Sequence, residues 1–527
     1  MEIYLDNAAT TRVCPEAADA AYKVMTEVYG NPGSTHKLGR EARAVLDDSR
    51  KKLAAALGCA PKEVYFTSGG TESDNWAILE GAYLQRRVGR HIISSAVEHD
   101  AVRKPLEKLA RDGWEITLLS PDSTGAISAD AVRAALREDT ALVTLMMVNN
   151  ETGAVTDIAG VARALRAAKS KALLHTDAVQ GFMKEPFSAK TLGADMISVS
   201  GHKVHAPKGI GALYIRQGLK LPAHILGGGQ EEGMRSGTEP MPQIAAFGEA
   251  VRIAKAEMPE ANKRMEALRA QCVQTLTDTV PDIVFLGGSS AHILSLSLPG
   301  YRSEVLMNYL EAKGIYVSKS SACKRGKRSH VLEAIGAPDK VIDGALRVSF
   351  SRCTTAEECV SFCRMAGAEK IYAQGHGELA RYPLHAAVYE MRGKAWVDTA
   401  LLENIFPVTE ATAETWRRLC NERMRGVDCA ATQTAGDEKE ILASGGAYFV
   451  HSAGELLGIG WMKDTELLAV CSVKPGAGER VMHTLMSLVE GAGMTLNVAS
   501  TNEKAIRLYE KLGFLRTAEK VRWYRVG

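Results

Sequence analysis

Ser198-Val199-Ser200-Gly201-His202-Lys203, with Pro207-Lys208-Gly209-Ile210-Gly211 close behind, is the stretch from which the fold of this chain is read. An apolar run, Met196-Ile197-Ser198-Val199, reads as a strand and delivers a lysine between hydrogen-bonding side chains. An amine so placed is suited to form a Schiff base with an aldehyde cofactor. Chemistry at the end of a strand is typical of open α/β sheets, where ligands collect beyond the carboxyl ends of parallel strands.

Outward from this segment the same pattern repeats. Val64-Tyr65-Phe66-Thr67, His91-Ile92-Ile93-Ser94-Ser95, Ile116-Thr117-Leu118-Leu119, Ala141 to Val148 and Ala172-Leu173-Leu174-His175 read as further strands. Amphipathic segments such as 129–136 and 158–168 lie between them. Apolar strands alternating with helices imply a mostly parallel sheet covered on both faces.

Several of these strands end in polar groups. Thr67-Ser68-Gly69-Gly70-Thr71-Glu72-Ser73 turns from a strand into a helix, and backbone N–H groups at a glycine-rich helix start favour a phosphate. It lacks the Gly-Lys-Ser/Thr ending of a nucleotide-binding P-loop. Asp177, in His175-Thr176-Asp177-Ala178-Val179-Gln180, is suited to keep a pyridine nitrogen protonated, and Gln180 to donate to a phenolate oxygen. His99, in Ala96-Val97-Glu98-His99-Asp100, can stack on a ring and move protons. Asn150, in Asn149-Asn150-Glu151-Thr152-Gly153, can reach the phenolate oxygen or a substrate carboxylate. Together with Lys203 these signals describe a site for pyridoxal phosphate.

A chain of 527 residues exceeds one ordinary domain, and roughly two or three are expected. Lysine plus arginine exceed aspartate plus glutamate by 64 − 62 = 2, a balance that sets aside nucleic acid and membrane surfaces as general partners. Ten cysteines without a C-x-x-C pair give neither a disulfide framework nor a structural zinc site, and free thiols suit a reducing cytoplasm. No leader-like or long uncharged apolar segment is present, so a cytoplasmic protein is expected. After about Met258 the pattern changes to a helix over 260–277 and shorter strands at 293–298 and 346–350. The expected organisation is a large domain over about 16–258, a small α+β domain from 1–15 and 259–372, a polar linker at 373–384, and a last domain at 385–527 reading β-α-α-β-β-β-α-β-α-β.

Residues 1–370 resemble the cysteine desulfurases of the pyridoxal-phosphate-dependent class V aminotransferases. The resemblance is carried by Tyr4-Leu5-Asp6-Asn7-Ala8-Ala9-Thr10-Thr11, Gly30-Asn31-Pro32-Gly33-Ser34-Thr35-His36, the segments already quoted, Gly227-Gly228-Gly229-Gln230, Arg235-Ser236-Gly237-Thr238 and Arg347-Val348-Ser349. It implies the type I fold of these enzymes. Lys203 would carry the Schiff base and shuttle the α-proton. Gly70, Thr71, Ser200 and His202 would bind the cofactor phosphate. Asp177 would pair with the pyridinium, His99 would stack on the ring, and Asn150 and Gln180 would flank its phenolate oxygen. Thr238 would reach the phosphate in the other subunit of a homodimer. Arg347 would grip the substrate carboxylate, a role that suits its planar, bidentate guanidinium.

The second key group is Cys323, in Ser320-Ser321-Ala322-Cys323-Lys324-Arg325-Gly326-Lys327-Arg328-Ser329. Its cationic neighbours favour the nucleophilic thiolate. The resemblance implies that Cys323 takes the sulfur of L-cysteine as a persulfide, leaving L-alanine, and passes it to an acceptor protein, an iron–sulfur scaffold or a sulfur carrier. No metal site is expected, Cys323 being the point of contact with an iron–sulfur acceptor during transfer. Ser-Ser-Ala-Cys resembles the first of the family's two groups, but here the following segment is short and strongly basic. Glu232 stands where an arginine is usual, and His205 replaces a common tyrosine.

Leu496 to Phe514 resembles the end of the GCN5-related N-acetyltransferase fold, and Leu467–Val473 its central strand. Pro475-Gly476-Ala477-Gly478-Glu479-Arg480 resembles a shortened pyrophosphate loop, in which Gly476 and Gly478 would face acetyl-coenzyme A. Asn502 matches a cofactor-contacting position, and Tyr509 the usual general acid. The expectation is a cysteine desulfurase fused to an acetyltransferase-like domain of unknown acceptor. A selenocysteine lyase or other β-eliminating enzyme, and a non-catalytic sulfur-relay scaffold, remain the alternatives.

Overall fold

The computed structural model describes residues 2–319, 328–365, 372–374, 384–394, 397–424, 427, 433, 437–489 and 493–525. It divides into two compact units, Met1–Ala270 with Val280–Met365, and Gln271–Thr279 with Ala366–Gly527.

The first unit is built on a seven-stranded sheet in the order Val64–Thr67, Gly211–Ile215, Met196–Ser200, Leu173–Asp177, Thr140–Met146, His91–Ser95, Glu115–Leu119. All neighbours are parallel except around Gly211–Ile215, which runs antiparallel to both of its partners. That strand is absent from the sequence reading, because its short apolar run follows directly on the glycine-rich turn. The expected double burial is visible residue by residue. Ile92, Leu142, Leu173 and Met196 pack on one face with Trp76, Ile78 and Leu106 of the helices Gly70–Gln85 and Asp100–Arg111. Their neighbours Ile93, Val143, Leu174 and Ile197 pack on the other with Leu46, Leu53, Val161 and Phe247. Successive strand side chains point to opposite faces, so an unbroken apolar run fills two cores.

A second, antiparallel sheet has the order Ser318–Lys319, Ala345–Ser349, Ile293–Ser297, Val284–Leu286. The start of the chain joins this part: Ile3–Tyr4 pairs in parallel with Ile315–Tyr316, and Ser349 N donates to Leu5 O at 2.7 Å. The helix expected from residue 260 begins at Met241 and runs to Thr279 through Pro259, so the change of pattern near Met258 falls inside one helix.

The second unit carries an eight-stranded sheet: Tyr372–Gln374, Leu515–Arg525, Leu384–Lys394, Gly493–Ala499, Glu466–Ser472, Glu455–Lys463, Ala447–Ser452, Asn404–Pro407. Among the described residues, only Glu466–Ser472 and Gly493–Ala499 are parallel neighbours in this sheet. The expected element order holds with two additions. Asn404–Pro407 is a largely exposed edge strand, the position in a sheet that tolerates a proline. Tyr372–Gln374 takes the first residues of the expected linker into this sheet by pairing with Trp523–Arg525; residues 375–383 lie outside the described residues. Among the described residues no helix is long and apolar enough to cross a membrane.

Candidate active site

The parallel strands end together, and their polar ends meet. Asp177 closes its strand, 7% exposed, and its carboxylate accepts from Val179 N at 2.9 Å. Burial pushes its pKa up, while the positive fields of His99 and Lys203 oppose the shift. Those two residues are therefore close enough to act on it. His99 caps the helix Asp100–Arg111, and its Nδ1 accepts from Ala101 N at 3.1 Å. In the neutral ring the proton then sits on Nε2.

The turn expected to receive a phosphate is tight. Gly69 has φ +151° and caps the helix Gly70–Gln85 without any side-chain capping bond. A Cβ on Gly70 would lie 2.7 Å from Val179 Cγ2, and one on Gly211 would lie 2.7 Å from Gly69 Cα. The turn thus rests on the Asp177 segment and on the antiparallel strand, with Ser200 beside it, 3.7 Å from that same Gly70 Cβ position. Thr71 is exposed on the first helical turn. Glu72, an unwelcome charge there, accepts from Arg235 at 2.7 and 3.0 Å and from Ser68 N at 2.9 Å. Burial raises its pKa, but these bonds prevail and hold it below the usual value.

Lys203 Nζ donates to the carbonyls of Ala8 and Ala9 at 2.6 and 2.7 Å. His202 Nδ1 lies 3.2 Å from Thr10 Oγ1, and burial together with Lys203 lowers its pKa to about 4, so it is a neutral partner for an anion. The N-terminal Asp6–Thr11 segment therefore forms a wall of the site. Arg347, 2% exposed, donates to Asn150 O and to Asp6 Oδ1, each at 2.8 Å, and its Nε is buried without a partner. Gln180 differs from expectation. Its Nε2 donates to Ala8 O at 2.8 Å and its Oε1 faces His292 Nε2 at 3.3 Å, so both ends of the amide are engaged by the protein. Thr238 is exposed. Cys323 lies outside the described residues, but the strand before it places Ser318 opposite Arg347, and beyond it Ser329 Oγ donates to Glu151 at 2.5 Å.

The structure adds groups that the sequence reading did not single out. Asn149 Oδ1 accepts from the N–H groups of Glu151 and Thr152, both at 2.9 Å, and so shapes the turn that carries Asn150. Glu98 and Asp74 are wholly buried, and burial lifts both pKa values, that of Glu98 to about 8. Asp74 lies 3.6 Å from His175, whose own pKa burial depresses to about 3. Glu98 stands inside a quoted motif and Asp74 directly after one; only their burial distinguishes them.

In the second unit Gly476 has φ +81°, and Gly478 begins the helix Gly478–Met486. Tyr509 is 7% exposed, and burial drives its pKa up. Asn502 differs from expectation: its side chain caps the helix Glu503–Lys511 by accepting from Ala505 N at 3.3 Å.

The groups of the first unit fit pyridoxal phosphate. An uncapped helix start that only glycine can line would receive the phosphate, a buried carboxylate the pyridinium, and a lysine between backbone carbonyls the aldehyde. Residues 3–362 match the model of the class-V aminotransferases, and the chain belongs to that family. The cysteine desulfurase IscS of Methanosarcina thermophila is 41% identical over 361 residues, 68% of this chain and 89% of that protein. The cysteine desulfurase IscS of Serratia proteamaculans is 42% identical over 369 residues, 68% of this chain and 90% of its own length. Among solved structures, a NifS-like protein superimposes with TM-score 0.66 at 37% identity over 69% of this chain and 98% of its own. One described as SspA in complex with cysteine gives 0.59 at 30% identity, over 67% and 100%.

Proposed function

We propose that this chain is a pyridoxal-phosphate-dependent cysteine desulfurase: L-cysteine plus the Cys323 thiol give L-alanine plus a Cys323 persulfide. The observation that carries the reading is the convergence of Lys203, Asp177, His99 and the Gly69–Thr71 turn in a chain whose relatives are cysteine desulfurases. Pyridoxal phosphate, when bound, supplies an electron sink conjugated to the substrate α-carbon. Asp177, buried where the positive fields of His99 and Lys203 oppose the upward push of burial on its pKa, would pair with the pyridine nitrogen and keep it protonated. The uncapped amides at Gly70–Glu72, with Ser200 and neutral His202, bind the phosphate. Lys203 Nζ would hold the cofactor aldehyde and move the α-proton, with His99 Nε2 as the neighbouring proton carrier. Arg347 is aimed by Asp6 and Asn150 O, and its unpartnered Nε is left for the substrate carboxylate. Cys323, between Ser318 and Ser329, attacks the substrate sulfur; the Cβ–S bond breaks and Cβ gains a proton. Thr238 serves a second copy in a homodimer, and an acceptor protein takes the sulfur.

Adding L-cysteine to the holoenzyme and mapping modified cysteines by mass spectrometry tests this. Wild type should gain sulfur at Cys323 and release alanine. Cys323→Ser should keep its visible absorbance yet form no persulfide, and Lys203→Ala should lose the absorbance. Sulfur transfer undiminished in Cys323→Ser defeats the assignment. A larger rate with selenocysteine than with cysteine would favour the lyase alternative.

The second unit is read as an acetyl-coenzyme A-binding N-acetyltransferase domain, on the strength of one feature. The parallel ladder between Glu466–Ser472 and Gly493–Ala499 is confined to Glu466↔Thr495 and Leu467↔Leu496, so the two strands part toward their carboxyl ends. The reading assigns the pyrophosphate to the amides at the start of Gly478–Met486, after Gly476, and the general-acid role to Tyr509. Calorimetry of the full chain with acetyl-coenzyme A should give saturable binding weakened by Gly478→Asp; heat that does not saturate refutes the reading.

A further inference from the structure

Behind the Schiff-base lysine lies a cavity of about 30 Å³, lined by Thr11, Met183, Lys184, Lys203, His205, Arg352 and apolar side chains of the helix Met241–Thr279. Two of its cations lack a full set of partners. Lys184 is 9% exposed and its Nζ makes no hydrogen bond, although an ammonium offers three donors. Arg352 gives one guanidinium nitrogen to Glu257 at 2.5 Å, while its buried Nε has no partner. No aspartate or glutamate lines the cavity. Glu257 compensates the charge of Arg352, but a water at Lys184 could take its hydrogen bonds and not its charge, and uncompensated buried charge is costly. The space exceeds the roughly 10–15 Å³ that one water needs.

We propose that the cavity between Lys184, Lys203 and Arg352 is a binding site for a small monovalent anion. Chloride and hydrosulfide share the required size and charge. Lys184 Nζ and Arg352 Nε would donate to the ion, and the methionines and alanines around them exclude competing water. Burial, reinforced by Lys203, lowers the Lys184 pKa to about 7. Its charged surroundings are Lys203, Arg352 with its partner Glu257, the neighbouring Glu185, and His202, His205 and His292, whose pKa values are all depressed. An anion would hold the Lys184 proton, so binding should weaken as pH rises through 7. It would also temper the positive field on Lys203, which carries the tether.

The halide arm of the test stands apart from the desulfurase reading. Crystals of the holoenzyme soaked in bromide should show an anomalous peak within hydrogen-bonding distance of Lys184 Nζ and Arg352 Nε. Chloride-35 line broadening in solution should saturate at millimolar chloride. Lys184→Met and, independently, Arg352→Gln should weaken halide binding by about a hundredfold, with unchanged circular dichroism. The exposed Lys190→Met should leave it unchanged. Adding sulfide to bromide-loaded crystals distinguishes the sources: loss of the peak assigns hydrosulfide, and retention assigns chloride. A cavity that holds only water in bromide, or line broadening indifferent to both substitutions, overturns the proposal.

Discussion

Two helices in this molecule begin in the same way and differ in consequence. Gly70–Gln85 and Gly478–Met486 each follow a glycine with positive φ, carry a glutamate in the first turn and lack a side-chain N-cap. Around Gly69 and Gly70 the backbone is closed in by Val179, Ser200 and Gly211, each from a different segment. Around Gly476 nothing lies within 4 Å of an added Cβ, and one on Gly478 would meet a single flexible side-chain end, Leu508 Cδ2, at 3.2 Å. The buried acids divide in the same way. The first unit buries Asp74, Glu98, Glu151 and Asp177; among the described residues beyond 384, the buried polar side chains are His483 and Thr484. A helix start alone is only a weak attraction for anions. It becomes a site when other strand ends bring a second and third chemistry against it.

Alanine at the two glycines should expose the contrast most sharply. Gly211→Ala drives a Cβ into the Val199 carbonyl and Gly69, and should cost about 3 kcal/mol in denaturant unfolding along with cofactor affinity. Gly476→Ala meets open space and should cost about 1 kcal/mol, from its positive φ alone. Equal losses would erase the distinction.

The buried acids can be read from pH. The folded pKa of Glu98, about 8, lies above its ordinary 4.5, so the native state keeps a proton that the unfolded chain has released. Stability should therefore fall as pH rises from 4.5 to 8. Glu98→Gln should flatten that slope in a melting-temperature series, and an unaltered slope would show Glu98 ionised in place.

The smallest difference concerns the two glutamates. Removing Arg235, which holds the partly buried Glu72, should cost about 2 kcal/mol. Removing Lys511 from the more exposed Glu479 should cost less than about 1 kcal/mol. A larger penalty at Lys511 would reverse the ranking of the two turns.

Much of the first unit is legible because its signals are local. An apolar run that stops at Asp177, Ser200 or Thr67 announces both a doubly buried strand and a polar group beyond it. Gly211–Ile215 escaped because its five residues follow directly on the glycine-rich turn, and nothing local shows that such a run returns antiparallel between two other strands. Gln180 and Asn502 show a different limit: residue type told what each amide could bind, and the fold turns Gln180 Nε2 to Ala8 O and Asn502 Oδ1 to Ala505 N.

The order of amino acids by itself determined where strands end, which side chains stand there and what class of chemistry they suit, since these follow from neighbours along the chain. Tertiary structure decided which of those groups remain available and how they are charged. Burial at Glu98 and Lys184, the closure of Gly211 on Gly69 and the clamp of Asp6 on Arg347 all join segments far apart in sequence. Desolvation and steric exclusion depend on everything that surrounds an atom, and only folding assembles those surroundings.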